Sequence, residues 1–476
     1  MTVQLYDSRL QEVVPFVPLV EGEASVYVCG PTVQSSPHIG HLRSALVYDQ
    51  LRRWLTYSGF DVTFIRNVTD IDDKILERAC ETNNKPGARE EWWALAYRYE
   101  REFTAAYDSL GIAAPSYEPR ATACISEMIA IIARLIRSEH AYVDDGDGDV
   151  YFDTQSWPAY GDLTRQKGTE LVAAEREPHG KRDPRDFALW KAHKPHEPES
   201  AAWDSPWGYG RPGWHIECSA MSMKYLGTEF DIHGGGLDLR FPHHENEVAQ
   251  SKAAGHRFAR LWMHNGLVAV SGQKMSKSLG NSVFAEELLA AASPIVVRYY
   301  LGAAHYRSTL EFHDGSLAEA EAAFDRIESF LERADRRLAG TRFNESTVEG
   351  VPEAFRVAMD DDLAVPQALS VVHETVRAGN TALDTEDLAV ATSARARVIA
   401  MTEVLGINPR SAVWAMTTDT TSRTVLGTLV ERLIDDRSAA RESRNFAEAD
   451  RIRDELTASG IAIEDTSSGA RWSLES

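Results

Sequence analysis

The sequence predicts an α/β chain: a Rossmann-like parallel-sheet domain broken by an inserted domain, then an α-helical bundle and a small α+β C-terminal domain. Three observations predict it. A strand–helix–strand rhythm opens the chain. Sequence rich in Pro, Trp and Asp interrupts that rhythm after about residue 112. Beyond about residue 310, Ala, Leu, Arg and acidic residues recur at helical spacing.

Ser25-Val26-Tyr27-Val28-Cys29 is a short apolar, β-branched run and reads as a buried parallel strand. A turn at Gly30, Pro31 and Thr32 follows. A helical pattern opens near His38, keeps Leu42, Leu46, Leu51, Trp54 and Leu55 in phase, and stops near Gly59. Asp61 to Ile65 is the next strand, and a polar loop runs from Asn67 to Asp73. The insertion spans Ala113 to Pro212. Its run Asp144 to Asp149 has the look of a calcium loop, but such a loop starting at Asp145 needs glycine where Val150 stands and glutamate where Ser156 stands. A hairpin turn before the strand Val150-Tyr151-Phe152 is the expectation. The parallel sheet resumes with Phe230 to Ile232 and Leu261 to Val270, and helices are expected over Leu317–Ala339 and Ala364–Leu383. Val425 to Trp472 begins helical and ends in short apolar pieces around Gly460 and Gly469. The expected divisions are 1–112, 113–212, 213–310, 311–424 and 425–476.

Bulk properties narrow the function. No run of about 18 apolar residues appears, so no membrane span is expected. The N-terminus lacks the basic start and apolar core of a signal peptide. With only four cysteines (Cys29, Cys80, Cys124 and Cys218), a disulfide framework is not expected and a reducing cytoplasm is. The formal net charge of −22 excludes a protein that coats nucleic acid non-specifically, yet it permits a local basic face.

Two strings carry chemistry. Pro37-His38-Ile39-Gly40-His41 opens a helix at the carboxyl end of a strand, where helix-start amides favour a phosphate. Gly40 lets a nucleotide approach the backbone, and His38 and His41 fall three apart, on one face. Lys274-Met275-Ser276-Lys277-Ser278 is expected in a loop, where lysines meet the charge of a leaving polyphosphate. Lys277 is expected to make the main contact and Lys274 to assist. Either string alone also suits a solvated surface. Together and in this order they resemble the paired nucleotide motifs of class I aminoacyl-tRNA synthetases.

Cys29, Cys218, His243 and Glu247 invite a joint reading. His243 and Glu247 share a face if a helix begins at Pro242, and two thiolates, an imidazole and a carboxylate suit tetrahedral zinc. Spacing does not bring such distant positions together, and buried apolar cysteines fit equally well.

The strings Cys29-Gly30-Pro31-Thr32-Val33, Gly213-Trp214-His215-Ile216-Glu217-Cys218-Ser219-Ala220-Met221 and Phe241-Pro242-His243-His244-Glu245-Asn246-Glu247 resemble the cysteinyl-tRNA synthetase family, with a match from Leu5 to Trp472. The resemblance implies one zinc per subunit on Cys29, Cys218, His243 and Glu247, taking the thiolate of substrate cysteine as a further ligand. It implies that Gly30, Thr32, Asn67, Thr69 and Trp214 border the amino acid, that Gly234, Gly235 and Gly236 lie near the adenosine, and that Arg441, Asp450 and Asp465 read the anticodon. Tryptophan is common in the family where Phe446 stands. Also implied are ATP with Mg²⁺, L-cysteine and tRNA(Cys) as partners, no membrane, and a monomer. His233-Gly234-Gly235-Gly236 matches an oxyanion-hole string of lipases, but the chain has no Gly-x-Ser-x-Gly elbow. The alternative reading is a cysteine:amino-sugar ligase of the mycothiol pathway, whose members resemble the catalytic half and lack the long C-terminal region. A non-catalytic relative would lack a motif lysine, a motif histidine or a metal ligand, and all are present here.

Overall fold

A computed structural model describes residues 2–83, 89–165, 180–275, 281–339, 350–415, 420–466 and 469–474. The chain forms two compact units, Met1–Pro409 and Arg410–Ser476.

In the first unit, β1 (Gln4–Asp7) and β2 (Glu12–Pro15) make an antiparallel hairpin. Then β3 (Glu23–Val28), α1 (Ile39–Tyr57) and β4 (Asp61–Arg66) form a parallel crossover. α1 is a long helix because Leu42, Leu46, Leu51, Trp54 and Leu55 share a buried face, and it ends at Ser58 before Gly59, whose φ of 96° suits glycine. Helices α2 (Asp73–Asn83), α3 (Trp92–Ser109) and α4 (Ile125–Arg137) lead to an antiparallel sheet of β5 (Ala141–Val143), β6 (Val150–Phe152), β7 (Phe187–Ala192) and β8 (Gly210–Pro212). The acidic run from Asp144 is the turn of the β5–β6 hairpin: the Asp144 carboxylate accepts the Gly146 and Asp147 amides at 3.1 Å.

The chain returns through α5 (Trp214–Leu226), β9 (Glu229–Gly236), α6 (Glu245–Ala253) and β10 (Phe258–Asn265). These complete a four-stranded, all-parallel sheet in the order β10-β9-β3-β4. β3 connects forward to β4 on one side and lies against β9 on the other, so their carboxyl ends form a switch point, where crevices open in such sheets.

Two expectations change. The Leu261–Val270 stretch is two strands in two sheets, because the chain breaks at Gly266, where any side chain would collide with the Ser308 carbonyl. Past that break, β11 (Val268–Val270) pairs with β12 (Gln273–Lys274) and, after α7 (Ala285–Ala291) and α8 (Pro294–Ala303), with β13 (Leu310–Phe312). Lys274 is therefore a strand residue by its backbone rather than part of a loop. Likewise the regular helix starts at Glu245, not Pro242: Phe241 leaves helical dihedrals (φ −138°, ψ 133°) inside a separate turn at Arg240–His244.

A bundle of α9 (Ser316–Leu338), α10 (Glu353–Asp360), α11 (Val365–Asp384) and α12 (Leu388–Leu405) follows. Buried Arg298 of α8 joins it to the sheet domain, pairing with Asp49 of α1 and donating to the Leu110, Gly111 and Leu405 carbonyls. The second unit holds α13 (Ala412–Ala415), α14 (Thr420–Glu442), α15 (Phe446–Ala458) and a hairpin of β14 (Ile461–Thr466) and β15 (Gly469–Leu474), with Val430, Ile434, Ile452, Leu456 and Ile461 as its core.

Candidate active site

At the switch point a cavity of about 400 Å³ is lined by Cys29, Gly30, Thr32, His38, Gly40, His41, Trp214 and Gly236, with Lys74 and Met275. One end of it is built by the start of α1. His38 is the N-cap residue: its Nδ1 accepts the Gly40 amide at 3.2 Å, and the His38 amide donates to His41 Nδ1 at 3.2 Å. This reciprocal box satisfies two helix-start amides. It also fixes the tautomers, since a neutral ring whose Nδ1 accepts carries its proton on Nε2. The two rings stack at 3.6 Å, and Phe103 meets the His41 ring at 4.9 Å, so neither ring turns freely.

The second motif comes to the same place. Met275 lines the cavity, and its Cε lies 3.5 Å from where a side chain on Gly40 would begin. Downstream, the Ile39 amide donates to Val283 O and the Ala285 amide to Pro37 O, both at 2.9 Å. Lys277 lies outside the described residues, as does the side chain of Lys274.

Behind the cavity floor, Cys29, Cys218, His243 and Glu247 converge with all ligand atoms within 4.8 Å of one another. Cys29 Sγ is 3.4 Å from Cys218 Sγ and 3.3 Å from Glu247 Oε1, which is 3.2 Å from His243 Nε2. Those edges are what four atoms about 2.0–2.3 Å from one ion leave between them. All four residues are buried. Burial pushes Cys29 and Cys218 above the ordinary thiol range, with Cys218 and Glu247 adding to the rise at Cys29, and burial holds His243 far below the ordinary imidazole range. A cation there would offset the cost of two buried thiolates and find the imidazole already neutral. The donor set therefore fits a metal ion.

A second layer holds the first. His215 Nδ1 and His243 Nδ1 share a hydrogen bond of 3.0 Å, which leaves His243 Nε2 to face the cluster. His233 Nε2 lies 2.9 Å from Glu247 Oε2 and its ring stacks on Trp262. A second grouping, Cys29, His233, His244 and Glu247, shares two members with the first. Sequence reading passed over His215 and His233. Each sits inside a quoted string, but a single histidine carries no spacing signal.

The wall around the amino-acid end is similarly determined. The Gly30 amide donates to Asn67 Oδ1 at 2.9 Å, and a side chain at Gly30 would overlap the Asn67 carbonyl. Thr32 bridges Thr69, whose hydroxyl donates to buried Glu217 at 2.8 Å. Asn67 and Thr69 are buried behind this wall, whereas Trp214 lines the cavity and lies over the His243 ring at 4.3 Å. Of the three glycines ending β9, Gly236 lines the cavity. Gly234 and Gly235 are closed under Tyr48 and His244, and Tyr48 Oη accepts the Gly235 amide at 2.6 Å.

Comparison with known proteins decides the family. Residues 15–322 match the class I (C) tRNA synthetase catalytic domain, 354–408 the DALR domain, and 425–472 the cysteinyl-tRNA ligase anticodon binding domain. A cysteine–tRNA ligase of Leifsonia xyli subsp. xyli is 66% identical over 477 residues, and one of Clavibacter sepedonicus 65% over 483, each covering 100% of both chains. The chain belongs to the cysteine–tRNA ligase family. The ligase also shares its fold with a Mycobacterium tuberculosis methionyl-tRNA synthetase in complex with methionyl-adenylate, at a TM-score of 0.56 and 16% identity over 81% of this chain and 90% of that one.

The second unit of the ligase carries the family's anticodon-binding domain. Arg441 is exposed in the last turn of α14, and Asp450 is exposed on α15, 3.3 Å from Arg453. Phe446, at the start of α15, is 60% exposed. Asp465 belongs to β14 by its backbone, and its side chain lies outside the described residues.

Proposed function

We propose that this cysteine–tRNA ligase activates L-cysteine with ATP·Mg²⁺ and passes it to the terminal adenosine of tRNA(Cys), selecting its substrate through zinc held by Cys29, Cys218, His243 and Glu247. The observation that carries the reading is the convergence of that buried donor set at Cys29, which lines the same cavity as His38 and His41. When bound, zinc supplies a Lewis acid that takes a thiolate far better than a hydroxyl, which is what separates cysteine from nearly isosteric serine.

The chain's own residues do the rest. Trp214, Thr32 and Gly30 shape the slot for the amino acid, with Asn67 and Thr69 fixing Gly30 and Thr32 from behind. The cysteine carboxylate oxygen attacks the α-phosphorus of ATP and pyrophosphate leaves. His38 and His41 offer Nε2–H groups to the phosphate oxygens, and Lys274 and Lys277 meet the charge that develops on the leaving group. Gly40 and Gly236 keep the backbone open to the nucleotide. The terminal ribose hydroxyl then attacks the adenylate carbonyl and AMP leaves. The inserted domain, 113–212, serves the acceptor end of the tRNA. The bundle serves its stem, and Arg441, Asp450 and Asp465 serve the anticodon. The protein works as a cytoplasmic monomer; no described helix is long and apolar enough to cross a membrane.

The test is ATP–pyrophosphate exchange with cysteine and with serine, followed by charging of tRNA(Cys). Exchange with cysteine and charging are expected. Exchange without charging, accompanied by transfer of cysteine to an amino sugar, would overturn the tRNA assignment.

A further inference from the structure

Away from the active site, a cavity of about 520 Å³ opens between α9 and α11 of the helical bundle. Arg326 and Arg333 line it from α9, and His373, Arg377 and Asn380 from α11. Phe330 and Val376, both buried, lie in its lining. The helices close on each other beside it because Gly379 lets the Phe330 ring approach its backbone, a place no side chain could occupy.

The arginines are not equivalent. Arg333 is fixed across the helix pair, donating to Asn380 Oδ1 at 3.0 Å and pairing with Asp384. Arg326 and Arg377 are exposed, and among the described residues no carboxylate lies within ion-pairing distance of either guanidinium. The carboxylate in the lining, Asp325, is also exposed. His373 shares a 3.0 Å hydrogen bond with Tyr299 Oη, and burial together with Arg326 and Arg377 holds its imidazole below the ordinary range. On a chain of formal net charge −22, a concave site with two uncompensated guanidiniums over an apolar floor is a local well for an anion.

We propose that this cavity is a cradle for a backbone phosphate of the tRNA stem, with Arg326 and Arg377 gripping it from two helices. This rests on tRNA being the acceptor. Guanidinium forks match phosphate oxygens in geometry as well as charge. Phe330, buried in the lining, offers no face for an unstacked base, so the site takes duplex backbone rather than single-stranded bases. Such a contact positions the tRNA without reading its sequence.

The experiment measures binding of a tRNA(Cys) transcript to the full chain across salt concentrations from about 50 to 200 mM. The double variant R326A/R377A is expected to bind more weakly, and the slope of log affinity against log salt is expected to shrink by about 0.9, the value for one lost phosphate contact. Backbone-cleavage protection should be lost over one stem segment and kept elsewhere. R326K/R377K, which restores point charges, should regain most of the slope at an unchanged unfolding midpoint. Identical slopes and footprints for wild type and R326A/R377A would overturn the proposal, and so would an R326K/R377K protein that folds normally yet has the slope of the alanine variant. Failure of the tRNA assignment itself reads out differently, as a wild-type protein that activates cysteine and does not charge tRNA(Cys).

Discussion

In the buried donor cluster the Glu247 oxygens meet His243, Cys29 and His233, and His243 is held in turn by His215, all of it out of water. At the start of α1, His38 and His41 stand half-buried at the lip of a helix, oriented by two backbone amides. On the function proposed above, the difference follows from what each end must recognise. A triphosphate carries several charges, and positioned donors attract it over a distance. Cysteine differs from serine by one atom, and only a dry, rigid donor set converts that atom into kilocalories.

Four measurements sharpen or break this contrast. Lys277→Ala should lower the adenylation kcat by roughly 10²–10³, the cost of losing one placed transition-state donor, while the KM for cysteine moves far less. A large rise in KM with kcat preserved would put Lys277 in ground-state binding and erase the distinction between the two ends. Cys218→Ser should cost about 3 kcal/mol of metal affinity, a quarter of the roughly 10–16 kcal/mol that structural zinc sites supply, and should collapse the preference for cysteine over serine in pyrophosphate exchange. Unchanged zinc content with unchanged selectivity would refute the metal assignment. His215→Ala removes no ligand, yet should weaken metal affinity in a chelator competition by about 10–100-fold, because His243 loses the bond that aims it. If chelator resistance stays at the wild-type level, the second layer does not support the first.

The smallest effect concerns the tie between α2 and the antiparallel sheet. Asp73, at the start of α2, binds Lys191 and Arg211 of the antiparallel sheet, each at 2.6 Å. Burial alone would raise its pKa, but the two cations outweigh burial and hold the carboxyl well below the usual range. A depressed folded-state pKa adds stability that is fully present above the unfolded value near 3.9 and is lost as pH falls through the folded one. Stability of the wild type should therefore drop below about pH 4 more steeply than that of Asp73→Asn. Parallel curves in acid would remove this pair from the account.

Much of the frame was legible in the sequence. The β3–α1–β4 unit announced itself through a β-branched run, a 3.6-residue apolar period and a terminal glycine, all local signals. The metal set was not legible from spacing, since 189 residues separate Cys29 from Cys218 and only the sheet's switch point brings them together. Resemblance supplied what spacing withheld. The break at Gly266 was hidden because apolar residues continue on both sides of it, and the cause is a carbonyl some forty residues later. The same limit hid His215, whose role depends on where another histidine's ring lies.

The two sequence motifs are coupled through the backbone at the cavity. β12 is paired to β11 through Gln273 and Lys274, and Val283 is bonded to Ile39 at the mouth of α1. The Ala285 amide bonds back to Pro37 in the same way. The chain that follows the second motif is thus stitched to the helix start that carries the first, and a shift of either is handed to the other through two backbone bonds.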